Sequence, residues 1–183
     1  MIKPVTDVPE PGRPTSLDSD FADATSILSI VQATSALSGH VGASARSRIV
    51  REAIWFGWEH PRLPRPLVAS KYPTSYPWSA AARNRFHQVV QRPTGGWGLV
   101  FEHLRPRGML VRQALAQADR IDAAEMLNLL REEVSAAVIT REEDKQIDRA
   151  AVGGAYPPGD DGSDLWARYR YAGLELSGFA PLQ

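Results

Sequence analysis

Along most of the chain, apolar residues recur at helical spacing, and two short stretches break into strand-like runs. In DSDFADATSILSIVQATSALSG (18–39), Phe21, Ala24, Leu28 and Val31 form one stripe. Asp20 is placed to cap that helix, Asp23 suits its first-turn dipole and Gly39 stops it. In SARSRIVREAIWFGWEH (44–60), Ile49, Ala53 and Gly57 run beside Val50, Ile54 and Trp58, leaving Arg46, Arg48 and Arg51 outward. WSAAARNRFHQVV (78–90) turns Trp78, Ala82, Phe86 and Val89 inward, with Arg83, Arg85 and His87 largely outside. Further helices are predicted over 107–118, over 122–134 and over 141–151. The second has Asp122 as cap with Glu125 at N3, and the third has Thr140 with Glu143. LWARYRYAGLEL (165–176) closes the chain as a helix running into an extended end, with core aromatics and snorkelling arginines.

Residues 61–77 hold five prolines and are predicted as a long extended loop that mixes Arg62, Arg65 and Lys71 with Tyr72 and Tyr76. Such a stretch suits either base stacking or a strap over the core. Residues 96–102 and the β-branched run 135–140 predict two strands. Residues 1–16, with four prolines, predict a flexible arm ahead of a single globular domain over 17–183. The expected fold is α+β and predominantly α, with five or six helices around a small two-stranded antiparallel sheet.

Composition narrows the chemistry. With no cysteine, disulfide scaffolds, thiol nucleophiles and cysteine-based zinc sites are excluded. No apolar run is long enough to span a membrane and the N-terminus carries no secretory signal, so a cytoplasmic protein is expected. The formal charge is zero but uneven. Residues 41–113 hold twelve Lys and Arg against three Asp and Glu, whereas both flanks are acidic. That asymmetry points to a DNA or RNA partner met by Arg46, Arg48, Arg51, Arg83, Arg85, Arg105, Arg107 and Arg112. The alternative is that the arginines pair with the chain's own acids.

The sharpest local feature is LVFEHLRPRG (99–108), where a strand ends in Glu102 and His103. With the strand at 135–140 and the helix after it, a β-β-α unit forms. Glu143 and Asp144 fall in that helix's first turn. Two carboxylates and an imidazole there can hold one Mg²⁺ or Mn²⁺, or the imidazole can take a proton from water. FEHLRP and VITREED resemble the HNH (ββα-metal) nucleases over about 50 residues, with two helices inserted. The resemblance implies Glu102 as metal ligand, His103 as general base and Asp144 or Glu143 as second ligand. The family's further ligand histidine has no counterpart, since no histidine follows His103.

Other constellations are sparser. Arg83, Asn84 and His87 resemble the HEPN ribonuclease set with shorter spacing, and GDDGSD reads as a turn. Three function classes follow. The first is a metal-dependent nuclease in which Glu102, His103 and Asp144 meet. The second is a non-catalytic nucleic-acid-binding module with a basic face. The third is a protein-interaction or regulatory module, of immunity or inhibitor type, that binds a protein partner or a second copy of itself.

Overall fold

In the computed structural model, which describes residues 8–91, 97–150, 152 and 154–182, the helices come first. They are α1 (Asp20–Ala36) and α2 (Ala43–Ile54), the latter continued by a π-helical turn, Trp55–Glu59. A small ribbon follows, β1 (Leu67–Val68) and β2 (Tyr72–Pro73), and then α3 (Ala80–Gln91) and β3 (Leu99–His103). Next come α4 (Arg107–Ala116), α5 (Ala123–Glu133), β4 (Ala136–Thr140), α6 (Arg141–Arg149) and α7 (Ala167–Tyr171). The fold is α+β and predominantly α, as expected, with seven α-helices and two two-stranded antiparallel sheets among the described residues. The extra sheet lies in the proline-rich stretch. Its backbone pairs Leu67 with Pro73 and Val68 with Tyr72, so the prolines there edge a ribbon.

Two sets of residues pack separately. The helical unit comprises Arg13–Pro64 and Arg105–Ser135; the sheet unit takes the described residues of 1–12, 65–104 and 136–183. The chain thus leaves the sheet unit between the two halves of the expected β-β-α motif and returns at Ala136.

In the helical unit, α1, α2, α4 and α5 close on one core. Ala24, Ile27 and Val31 of α1 meet Val50, Ile54 and Trp58, together with Val111, Met126 and Leu130. Each fully buried aliphatic side chain contributes about 1.5–3 kcal/mol. The π-helical turn sits against α1 at Gly57, where a Cβ would meet Ile27 at 3.4 Å in ordinary van der Waals contact. Three details depart from the predicted pattern, the first being that Ile49, placed on the inner line of α2, is 43% exposed. Phe21, assigned to the inner stripe of α1, is 56% exposed, and Ile27 and Thr34 take up the buried side. Asp20 does not cap α1 from the N-cap position, which Ser19 occupies; it is buried and bonded to arginines.

In the sheet unit, β4 is the central strand. One edge pairs with β3 from Leu99–Thr140 to His103–Ala136. The other edge bonds Gly12 at Ala136 and the Pro77–Ser79 backbone at Val138. Covered on both edges and both faces, all five β4 residues are buried, which accounts for the unbroken apolar run from Ala136 to Ile139. Of the predicted arm, residues 1–7 lie outside the described residues. Within the sheet unit, the Pro9 carbonyl accepts from Trp166 Nε1 (2.9 Å) and Gly12 exchanges two backbone bonds with Ala136. In the helical unit, the Thr15 amide donates to the Arg62 carbonyl (2.9 Å). Both predicted capping boxes form, Asp122 with Glu125 and Thr140 with Glu143.

Candidate functional site

The β3 strand sets the geometry of the Glu102–His103 pair. Successive strand side chains point to opposite faces. Leu99, Phe101 and His103 therefore share one face, and Val100 and Glu102 the other. Register places Glu102 opposite Ala137 and Val100 opposite Ile139, on the face covered by Ile147, Trp166, Tyr169 and Phe179. His103 is buried on the reverse face, its ring edge-on to Phe101 (centroids 5.4 Å), which itself stacks on Tyr76. The two residues that the sequence set side by side are thus parted by the strand.

What meets Glu102 is Arg168, from α7. It is 1% exposed, and its Nη2 donates to Glu102 Oε1 at 3.0 Å. Its remaining donors reach the carbonyls of Val152, His103 and Leu104, so one guanidinium ties β3, the loop before α7 and α7 together. A buried charge is tolerated when it is paired and hydrogen-bonded, and both conditions hold here. The predicted snorkelling of Arg168 is corrected: a carboxylate and three carbonyls inside the core satisfy it. Arg170 and Tyr171, the latter 55% exposed, do remain outside.

Electrostatics link Glu102 to Asp144 as well. Burial pushes the Glu102 carboxyl above its ordinary range and Asp144 adds to the rise, while the Arg168 and His103 charges pull it back. Asp144 is itself raised, by burial and by Asp148, against Arg168. Tyr169 Oη is buried without a hydrogen-bond partner among the described residues, and burial first, then Glu102, holds its hydroxyl well above the usual phenol range. Glu143 is committed elsewhere. It accepts from the Thr140 amide (2.8 Å), Thr140 Oγ1 (3.0 Å) and Ser79 Oγ (2.7 Å), joining the start of α6 to α3. A divalent cation at Glu102 and Asp144 would share its carboxylates with a buried guanidinium, and like charges at such range repel. Among the described residues, no three His, Cys, Asp or Glu side chains gather in a metal-holding group.

The eight arginines of the predicted basic face divide between the units. In the sheet unit, Arg83 donates to the Trp78 and Ala180 carbonyls and Arg85 to that of Trp97. In the helical unit, Arg105 pairs with Glu133, and Arg107 pairs with buried Glu59 (3.0 Å) beneath the Trp55 ring. Arg46 is half-buried, and Arg48, Arg51 and Arg112 are exposed.

A second polar centre in the helical unit was not read from the sequence. Arg62 is buried over the Trp58 ring (4.1 Å), and it donates to Asp20 (2.8 Å) and Asp23 (2.6 Å). Arg131 adds a second guanidinium to Asp20 (2.9 Å). The signal in the sequence was Asp20 and Asp23 at one helix start. Their partners lie 39 to 111 positions away, beyond any local pattern. No helix among the described residues is long and apolar enough to cross a membrane. No protein-family model, curated protein or solved structure matches this chain.

Proposed function

We propose that this chain is a non-catalytic protein-interaction module of regulatory type, acting in the cytoplasm. The observation that carries the reading is the Arg168–Glu102 ion pair, which uses the strand-end carboxylate to lock the sheet unit's core. The internal pairing of Arg62, Arg105 and Arg107 supports it too, because those cations are already spent on the chain's own acids. The surface offered to a partner is the outer side of α2 and its π-helical extension. There Ile49 (43% exposed) and Phe56 (64% exposed) lie among the exposed Arg48, Arg51 and Glu52, a net positive surround. Large apolar side chains flanked by arginines suit a partner segment carrying apolar and acidic residues.

The test is a nuclease assay with Mg²⁺ and Mn²⁺ on plasmid, single-stranded DNA and RNA, with and without EDTA, beside a photo-crosslinker at position 56 in cells. The reading expects no metal-dependent cleavage and a crosslink to one protein of defined mass, lost when Ile49 is replaced by Ser. Cleavage that needs metal and disappears in Glu102→Gln would reinstate the HNH-like nuclease with Mg²⁺ or Mn²⁺. Oligonucleotide binding that weakens steeply with salt would favour the nucleic-acid module instead.

A further inference from the structure

In the helical unit, a cleft of about 360 Å³ is lined by Arg13, Pro14, Thr15, Asp20, Trp58 and Arg131. Three observations about its walls converge. First, its charges do not cancel. Asp20 and Asp23 are matched by Arg62 and Arg131, and Arg13 forms no ion pair among the described residues, so one positive charge is left over. Second, donors remain. Arg13 spends Nη1 on the carbonyls of Arg131 and Glu132 at the end of α5, and Arg131 spends Nη2 on Asp20. The other guanidinium N–H groups of both side chains make no bond within the described residues. Third, Trp58 is 2% exposed and its indole Nε1 has no hydrogen-bond partner among the described residues. That N–H is itself buried, so the indole ring walls the cleft while the guanidinium groups supply the donors.

We propose that this cleft binds a small organic monocarboxylate. A carboxylate accepts from two guanidinium groups in plane and matches a single surplus charge. A phosphate dianion would exceed that charge and would crowd Asp20, both of whose oxygens already accept. The apolar part of the ligand lies against Pro14 and the Trp58 edge, and the volume is within the usual range of small-molecule sites. The proposal is independent of the docking surface on α2.

The test uses benzoate and phenylacetate as probes, with benzamide as the uncharged isostere and inorganic phosphate as the dianion. Binding is followed by ¹H–¹⁵N spectra, the Trp58 indole resonance being assigned by its loss in Trp58→Phe. We expect a saturable shift of that resonance with the carboxylates and none with benzamide. Arg13→Gln should weaken affinity about 10–100-fold, the share of a charge-assisted hydrogen bond, while its spectrum shows the native fold. Arg120→Ala, at an exposed position after α4, should leave affinity unchanged. Absence of a saturable response to either carboxylate, an equal response in Arg13→Gln, or a response to phosphate alone would each overturn the assignment.

Discussion

Arg168 and Glu102 stand 66 residues apart in sequence and 3.0 Å apart in space, one fully buried and the other on the core face of β3. The pair closes the sheet unit's core at the point where a strand-end carboxylate would otherwise lack a counter-charge. Arg168→Ala should therefore cost about 3–5 kcal/mol, because it strands Glu102 and three carbonyls. The double variant Glu102→Leu with Arg168→Met should recover much of that loss, since an apolar pair removes both desolvation costs. Urea unfolding of the three proteins reads this directly. Equal losses in the single and double variants would contradict the role given to the pair.

The two polar centres should answer acid in opposite directions. Burial alone would raise Asp20, but hydrogen bonds from Arg131, Arg62, the Leu17 amide and Ser16 hold it well below the usual carboxylate range. Asp23 is lowered chiefly by Arg62. Folded values below the unfolded ~3.9 mean that this stability is complete above about pH 4 and is lost as pH falls further. Glu102 behaves inversely. Its raised folded value gives a contribution that is complete below the unfolded ~4.3 and is lost as pH rises through the folded one. Between pH 6 and 3, Asp20→Asn should flatten the fall in unfolding free energy, whereas Glu102→Gln should steepen it. Parallel slopes in all three proteins would show that neither group titrates as described.

Gly12 is fixed by close approach. A Cβ there would lie 2.3 Å from the Tyr76 ring and 2.6 Å from the Ala136 carbonyl, the latter being backbone and unable to yield. Gly12→Ala should cost about 1–3 kcal/mol, as overpacking does. Hydrogen exchange should quicken at the Ala136 amide, which donates to the Gly12 carbonyl at 2.8 Å. Unchanged protection at Ala136 would argue that the edge of β4 does not depend on this contact.

How much of this was legible depends on the range of each interaction. The capping boxes at Asp122 and Thr140 were readable because cap and N3 residue sit three positions apart and act on each other alone. The β3 strand is readable from a short apolar run and β4 from a β-branched one, within a residue or a few at their starts. The ribbon at Leu67–Pro73 was hidden because five prolines argued against regular pairing, and a ribbon of two residues a side needs few amides. Glu102 and His103 look like one site because adjacency in sequence suggests adjacency in space. In a strand it means the reverse. Arg62 and Arg168 could not be found at all. A solvated arginine and a buried one look alike until partners 42 and 66 residues away are placed.

The last prediction separates surface from core on one helix. Phe56 is 64% exposed and touches His60 through a tilted ring contact at 6.4 Å, so little buried area depends on it. Ile54, two residues earlier, is fully buried in the helical unit's core. Ile54→Ala should therefore cost about 2–5 kcal/mol through the cavity it leaves. Phe56→Ser should change unfolding free energy by less than about 0.5 kcal/mol, as substitutions away from packed features do. If α2 is the partner-facing surface, Phe56→Ser should nonetheless abolish the crosslink formed from a photoreactive residue at position 49. Loss of stability with retention of the crosslink would transfer Phe56 from the proposed interface to the core.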